Sequence, residues 1–264
     1  MASPSSNEVV LYEAQDGVAK LTLNRPERLN AWTAEMEARY FGLLERCDGD
    51  PDVRVIVVTG AGKGFCAGAD MDSLRAIGSG AAPAHSGKPQ TFPLTIRKPI
   101  LAAINGACAG LGLVQASMCD LRFAAAGAKF TTAFVRRGLV AEHGCSWVLP
   151  RLVGPSRALD LLLSGRVVLA EEALVMGLVD RVAPPPELLD TVTAYARDLA
   201  ANCSPAAMAA IKHQVYRHCE TDLATALRES NELMAASLKR PDFREGVASF
   251  VERRPPRFAP LSKT

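Results

Sequence analysis

The chain has 264 residues, of which 48% are hydrophobic and 22% charged, the ordinary composition of a globular protein with a large buried core. A formal net charge of +2 gives no electrostatic reason to expect nucleic acid or an anionic membrane as a partner. A negatively charged ligand would therefore need a local patch of basic residues.

The first two hundred residues predict alternating strands and helices. Residues 1–8 are expected to be disordered, and residues 9–200 to form the main domain. Strands separated by helices indicate crossover connections and a mostly parallel sheet, which is an α/β fold. The residues 78–89, rich in Gly, Ala, Ser and Pro, predict a mobile loop. Strands are predicted at 9–12, 18–23, 53–59, 100–104 and 121–124, with a helix at 30–47 capped by Asn30 and another at 71–77.

The remaining residues predict a helical C-terminal region, 201–264. Prolines at 184–186 interrupt the helical pattern, and a basic tail follows the last helix. Helices are predicted near 145–152 and at 170–177, 188–201, 205–219, 221–239 and 242–252.

The cysteines favour a reducing compartment. Seven are scattered along the chain without a CxxC motif, and several lie in apolar runs, so we predict free thiols and a cytoplasmic protein. The four histidines form no ligand cluster with them, so no metal site is predicted. The uncharged run 100–119 could span a bilayer, but its glycines and polar residues favour a buried strand and helix. No signal peptide and no membrane span are predicted.

Two glycine-bearing loops follow the two most apolar strands. They are GAGKGFCAGAD, from Gly60 to Asp70, and NGACAGLG, from Asn105 to Gly112. Turns between a strand and a helix leave N–H groups unpaired, which suits them to hold negative charge. Neither loop has the pattern of a nucleotide-binding loop. The residues alone leave open whether these are ordinary tight turns or an anion-binding site.

Seven segments, in the same order along the chain, resemble the crotonase (enoyl-CoA hydratase/isomerase) superfamily. They are LNRPERLNA at 23–31, GFCAGAD at 64–70, KPILAAING at 98–106, CD at 119–120, LPRLVG at 149–154, AEEALVMGLV at 170–179 and FVERRPPRF at 250–258. The resemblance implies a crotonase-like spiral of ββα units. It also implies that residues 201–264 build a homotrimer or a dimer of trimers and close the CoA site. No cofactor is expected apart from the coenzyme A of the substrate.

The resemblance assigns the two loops to an acyl-CoA thioester. In this family two backbone N–H groups hold the thioester carbonyl oxygen, and the matching positions are Ala69 and Leu111. A single such donor is worth about 3–4 kcal/mol in hydrolases. For Asp70 the residues by themselves favour a helix cap. The resemblance further implies substrate contacts at Glu27, Arg28, Leu29, Ala67, Asp70, Met71, Gly110, Val114, Phe134, Leu139, Phe250 and Arg253, the last two from the C-terminal helix of either the same or a neighbouring subunit.

The carboxylates determine which reaction is expected. Hydratases of this family use two glutamates, and the matching positions here are Val114 and Phe134, which cannot transfer a proton. Glu142, in GLVAEHG, resembles the single catalytic glutamate of Δ3,Δ2-enoyl-CoA isomerases. One carboxylate in an apolar pocket can take a proton from C2 and return it at C4. Glu142 could instead be a first-turn glutamate of the following helix, and His143 is expected at the surface.

The sequence therefore predicts an enoyl-CoA hydratase/isomerase family enzyme, a lyase or isomerase. Double-bond isomerisation by Glu142 is favoured over two-glutamate hydration. Two alternatives stay open: a hydrolase, decarboxylase or dehalogenase of an acyl-CoA on the same scaffold, and a non-catalytic acyl-CoA-binding protein.

Overall fold

A computed structural model describes residues 8–262 of the chain. The predicted disorder of residues 1–8 lies outside this range, apart from Glu8. Ten strands are found in the described residues: β1 (Val10–Gln15), β2 (Val18–Leu23), β3 (Val55–Gly60), β4 (Gly64–Cys66), β5 (Ile100–Ile104), β6 (Ala107–Ala109), β7 (Leu121–Ala125), β8 (Lys129–Thr131), β9 (Val168–Leu169) and β10 (Arg181–Ala183). The α-helices of the same range are α1 (Ala34–Gly49), α2 (Met71–Gly78), α3 (Leu111–Ser117), α4 (Cys145–Val153), α5 (Pro155–Ser164), α6 (Ala170–Met176), α7 (Leu188–Asn202), α8 (Pro205–His218), α9 (Leu223–Ser237) and α10 (Pro241–Glu252).

The larger sheet starts with a hairpin and continues in parallel. β1 and β2 are antiparallel around the two-residue turn Asp16–Gly17, where both residues have positive φ, as a tight hairpin turn requires. β2, β3, β5, β7 and β10 then follow one another as parallel neighbours. Every residue of β3 and β5 is buried, because helices and the second sheet cover both faces of these strands.

The chain forms three successive ββα turns. Each turn contributes one strand to the larger sheet and one to a second sheet of order β4-β6-β8-β9, and then enters a helix. The turns are β3–β4–α2, β5–β6–α3 and β7–β8–α4. This arrangement confirms the predicted α/β spiral of ββα units. The residue pattern does not predict β4, β6 and β8, because three residues are too few to show a strand periodicity.

The predicted helices are confirmed with small shifts of their ends, but the predicted cap of the first one is wrong. α1 begins at Ala34, and the Thr33 side chain accepts a hydrogen bond from the Met36 N–H (3.2 Å). Asn30 instead accepts a bond from the Arg25 N–H and donates to the carbonyls of Ala61 and Gly64. Its side chain therefore holds the loop before α1 against the turn between β3 and β4 and the start of β4.

Asp120 attaches helix α8 to the larger sheet. Its carboxylate accepts hydrogen bonds from the Ile100 N–H (2.7 Å), from Lys212 Nζ (2.8 Å) and from the Tyr216 hydroxyl (2.8 Å). Burial and the charge of Asp120 raise the pKa of Tyr216 far above its ordinary value, so its hydroxyl is a neutral donor. Asp120 therefore links the start of β5 to α8.

The cysteines and the uncharged run agree with their predicted state. All seven thiols are free, and Cys47, Cys66, Cys108, Cys119 and Cys145 are buried. Run 100–119 is divided between β5, β6 and α3. In the part of the chain that the structure describes, no helix is both long and apolar enough to cross a lipid bilayer.

Asp120→Ala tests the attachment of α8. We expect the free energy of unfolding to fall by about 3 kcal/mol, because Lys212 is left with an uncompensated buried charge. Chemical denaturation measures this loss. Glu45→Ala, which breaks an exposed ion pair with Lys88, should change the same quantity by less than about 1 kcal/mol. Equal effects of the two substitutions would contradict the role given to Asp120.

Candidate active site

The loop after β4 leaves the N–H group of Ala69 unpaired. Residues 67–70 run beside residues 29–32: the Ala67 N–H donates to the Leu29 carbonyl (3.0 Å), the Trp32 N–H to the Gly68 carbonyl (2.7 Å) and the Asp70 N–H to the Trp32 carbonyl (3.0 Å). Successive N–H groups of an extended segment point to opposite sides. The Ala69 N–H therefore points away from this pairing, and no acceptor for it is found among residues 8–262.

The loop after β6 leaves a second N–H group unpaired, that of Leu111. The Gly110 N–H donates to the Thr131 carbonyl, and the Gly110 carbonyl accepts from Val114 as the first acceptor of α3. Leu111 is the first residue of this helix, where an N–H group has no partner within the helix.

Close contact between the two loops brings these N–H groups to one place. A Cβ atom at Gly112 would lie 2.1 Å from the Cys66 carbonyl oxygen, and one at Gly68 would lie 3.0 Å from the Ala109 carbonyl oxygen. A backbone atom cannot give way at such distances. Glycine at 112 is therefore required for α3 to lie against the end of β4.

A cavity of about 60 Å³ lies where the loops meet the segment between β8 and α4. Seven of the residues predicted from the sequence share it: Ala67, Ala69, Gly110, Leu111, Phe134, Leu139 and Glu142. The sequence reasoning did not identify the other five lining residues: Gly68, Leu74, Thr132, Ala133 and Arg137. Of these, Arg137 brings a positive charge to the cavity. Its neighbour Arg136 points elsewhere, donating to the Ser164 carbonyl, and no sequence signal distinguishes the two arginines.

The other predicted site residues do not line this cavity. Val114 is fully buried in α3. Glu27, Arg28 and Leu29 form a turn next to the start of α2, where Arg28 lies 3.5 Å from Asp72. Met71 is exposed in the first turn of α2. Phe250 and Arg253 lie at the end of α10, where Phe250 lines a separate surface depression.

Asp70 caps α2, as the residues by themselves indicated. One carboxylate oxygen accepts from the Asp72 N–H (3.0 Å) and the other from Arg25 Nη1 (3.0 Å), which also donates to the Ala31 carbonyl (2.6 Å). Burial by itself raises the pKa of Asp70. The hydrogen bonds from Arg25 and from the Asp72 N–H outweigh this effect, so the pKa of Asp70 lies below its usual range. These bonds hold the residue that follows Ala69.

Glu142 lies in the loop before α4, not in its first turn. The helix begins at Cys145 after Gly144, so the interpretation of Glu142 as a first-turn glutamate is wrong. Its side chain is 31% exposed, less buried than an apolar pocket around it implied. His143, predicted at the surface, is 36% exposed, and its Nε2 lies 3.1 Å from Glu142 Oε2. Glu142 therefore combines access to the cavity with a histidine neighbour.

The chemistry of the cavity follows from these groups. Two unpaired backbone N–H groups can hold a carbonyl oxygen that gains negative charge, and one carboxylate can move a proton beside it. Among the described residues, no three His, Cys, Asp or Glu side chains are grouped to hold a metal ion.

Asp70→Asn tests the cap through the pH dependence of stability. A carboxylate whose folded pKa is lowered stabilises the protein fully above the unfolded pKa, about 3.9, and loses this effect as pH falls through the folded pKa. Wild type should therefore melt at a higher temperature than the variant at pH 7, and the difference should shrink towards pH 3. Thermal unfolding from pH 7 to pH 3 measures it, with the exposed Asp72→Asn as control. A difference that stays constant over this range would refute the assignment.

Comparisons with known proteins identify the family of the chain. The family described as enoyl-CoA hydratase/isomerase matches residues 13–260. The 1,2-epoxyphenylacetyl-CoA isomerase of Escherichia coli (strain K12) is 37% identical over 259 residues, covering 95% of this chain and 98% of that protein. A crystal structure of a probable enoyl-CoA hydratase/isomerase from Mycobacterium abscessus has a TM-score of 0.89 at 31% sequence identity, and the match covers 96% of this chain and 99% of that chain. The crystal structure of an enoyl-CoA hydratase from Mycobacterium marinum has a TM-score of 0.70 at 52% sequence identity, and the match covers 80% of this chain and 98% of that chain. The chain belongs to the enoyl-CoA hydratase/isomerase family, the crotonase superfamily of enzymes.

Proposed function

We propose that this enzyme moves a carbon–carbon double bond within an acyl-CoA thioester, with Glu142 as its single acid and base. One observation carries the proposal: Glu142 lines the same cavity as Ala69 and Leu111, while the positions of the two hydratase glutamates hold Val114 and Phe134. The names of the relatives, a 1,2-epoxyphenylacetyl-CoA isomerase in E. coli and a probable enoyl-CoA hydratase in Rhodobacter capsulatus, support an acyl-CoA substrate.

The proposed reaction begins at the thioester carbonyl. Its oxygen accepts hydrogen bonds from the N–H groups of Ala69 and Leu111, which makes the C2 proton more acidic. Glu142 takes that proton, and the C–H electron pair forms the enolate, with negative charge on the held oxygen. The enolate then collapses. The enolate electrons form the C2–C3 double bond. The electron pair of the former C3–C4 double bond forms a new C4–H bond with the proton that Glu142 carries, and the carboxylate is restored.

Hydration by two carboxylates is not supported by the residues present. It requires one group that activates water at C3 and another that handles the proton at C2. Phe134 is an apolar lining residue of the cavity, and Val114 is fully buried in the core. Neither supplies the second group, so the remaining carboxylate must act alone.

The C-terminal helices support a proposed assembly. We propose that residues 201–264 form the region that builds a homotrimer or a dimer of trimers and supplies Phe250 and Arg253 to a neighbouring CoA site. A single chain leaves large apolar side chains exposed on α9 and α10, which indicates a surface that another subunit covers. They are Leu223, Leu227, Met234, Leu238, Phe243, Val247, Phe250 and Val251.

The substrate site is proposed to need no cofactor beyond the coenzyme A of the substrate. Glu27, Arg28, Leu29, Asp70 and Met71 lie together beside the start of α2 and are proposed to hold CoA. The free cysteines support a reducing compartment, and we propose the cytoplasm.

Glu142→Gln tests the proposed base. We expect the exchange of the C2 proton of an acyl-CoA into deuterated water to slow by at least about 100-fold, because the amide cannot accept the proton. Mass spectrometry measures the exchange, and calorimetry should show an unchanged affinity for the CoA ester. Glu187→Gln is the matched control, because Glu187 is exposed and does not line the cavity.

The outcomes separate the alternatives. Full exchange by Glu142→Gln would show that another group is the base. Wild-type binding without any exchange would indicate an acyl-CoA-binding protein. Exchange together with release of free CoA, in place of a shifted double bond, would indicate a hydrolase.

A further inference from the structure

Glu37 is a buried carboxylate of α1 with no cation beside it. The residue is 3% exposed, and no Lys, Arg or His within the described range forms an ion pair with it. Three N–H groups surround the carboxylate instead. Ser86 N–H donates to Oε1 (2.6 Å), and Gln90 Nε2 and Trp32 Nε1 (3.3 Å) donate to Oε2. Burying a charge is costly, and the three hydrogen bonds to this carboxylate restrict how the groups around it can be arranged.

One arm of this network reaches the Ala69 N–H group. Trp32, whose indole donates to Glu37, is the residue whose backbone pairs with Gly68 and Asp70 on either side of Ala69. The indole is also fixed by an edge-on contact with Tyr40, at 5.5 Å between ring centroids. Glu37 therefore holds the residue that sets the direction of the Ala69 N–H.

A second arm reaches the Leu111 N–H group. Gln115, one turn after Leu111 in α3, donates from Nε2 to Gln90 Oε1 (2.7 Å) and to the Gln90 carbonyl (3.2 Å). Gln90 in turn donates to Glu37. These side chains are buried, so the network ties α3 to α1 through the core. Both N–H groups of the cavity are thus linked to the Glu37 carboxylate, one through Trp32 and the other through Gln90 and Gln115.

We infer that Glu37 is a positioning residue that fixes the two unpaired N–H groups, of Ala69 and Leu111, relative to one another. It thereby sets how strongly they polarise the thioester carbonyl. This inference rests on the proposed function, because it requires an acyl-CoA carbonyl between those groups. Donors of this kind act only when close to the developing oxyanion, and a misplacement of about 1 Å can cost about 100-fold in rate.

Glu37→Gln is the decisive variant, and Glu45→Gln is its matched control. Both replace a glutamate of α1, but Glu45 is exposed, and among residues 8–262 its ion-pair partner is Lys88. In Glu37→Gln the new amide N–H₂ must face an N–H donor, so the network loosens. We expect C2 proton exchange to slow by about 10- to 100-fold with unchanged affinity for the CoA ester. Glu45→Gln should match wild type.

The carbonyl stretching frequency of a bound ¹³C-labelled acyl-CoA provides a readout that a merely structural role would not move. Hydrogen bonds to the oxygen lower this frequency, and isotope-edited infrared difference spectra measure the shift. In Glu37→Gln the frequency should return towards the value of the free thioester. Trp32→Phe and Gln115→Leu each break one arm and should each give a smaller change, and they replace Glu37→Gln if that variant does not fold.

Two results would overturn the inference at different levels. If the arm variants and Glu37→Gln shift the melting temperature but leave exchange and carbonyl frequency as in wild type, Glu37 is structural only. If wild type itself does not lower the carbonyl frequency on binding, the proposed function fails, and the positioning role fails with it. Glu142→Gln keeps the two apart, because it should abolish exchange while leaving the frequency shift intact.

Discussion

The contact between the loop after β4 and the loop after β6 is the constraint on which the site depends. It requires a residue without a side chain at Gly112, since a Cβ atom there would lie 2.1 Å from the Cys66 carbonyl oxygen. In each loop one backbone N–H group at the cavity, that of Ala69 or of Leu111, has no acceptor among residues 8–262. An unpaired N–H group near an apolar cavity is costly in a folded chain. Two of them lining one cavity are best explained by a ligand oxygen that pairs with both.

Networks of buried polar groups hold these loops from several sides. Asn30 ties the loop before α1 to the turn between β3 and β4 and to the start of β4, and the Arg25–Asp70 pair holds the residue after Ala69. Glu37 adds hydrogen bonds from Ser86 and Gln90, and Gln90 in turn accepts one from Gln115 of α3. Such networks contribute more to defining a single geometry than to net stability, because most of their energy offsets the desolvation of the groups they bury. A site that works through backbone N–H groups depends on a single backbone geometry, because no side-chain rotation can move these donors.

The cavity has one carboxylate that can transfer a proton, that of Glu142. Under the proposed assignment, Val114 and Phe134 stand at the positions of the two hydratase glutamates, and Glu142 is the Asp or Glu residue that lines the cavity. Its partial exposure and its neighbours Arg137 and His143 distinguish it from a glutamate enclosed in an apolar pocket. In the proposed reaction the two backbone N–H groups stabilise the enolate, and the side chains of the cavity restrict what the enolate does next.

The sequence by itself determined the family, the α/β spiral, the long apolar strands and the two loops, because these depend on local patterns and specific motifs. It also identified Ala69, Leu111 and Glu142 as neighbours. Only the tertiary structure decided that Thr33 rather than Asn30 caps α1, that Arg137 and not Arg136 lines the cavity, and that Phe250 lies away from it within one chain. Glu37 showed no signal of its own in the sequence. Its partners Ser86 and Gln90 are 49 and 53 residues away, and hydrogen bonds over such separations are set by how the elements pack, which no local pattern records.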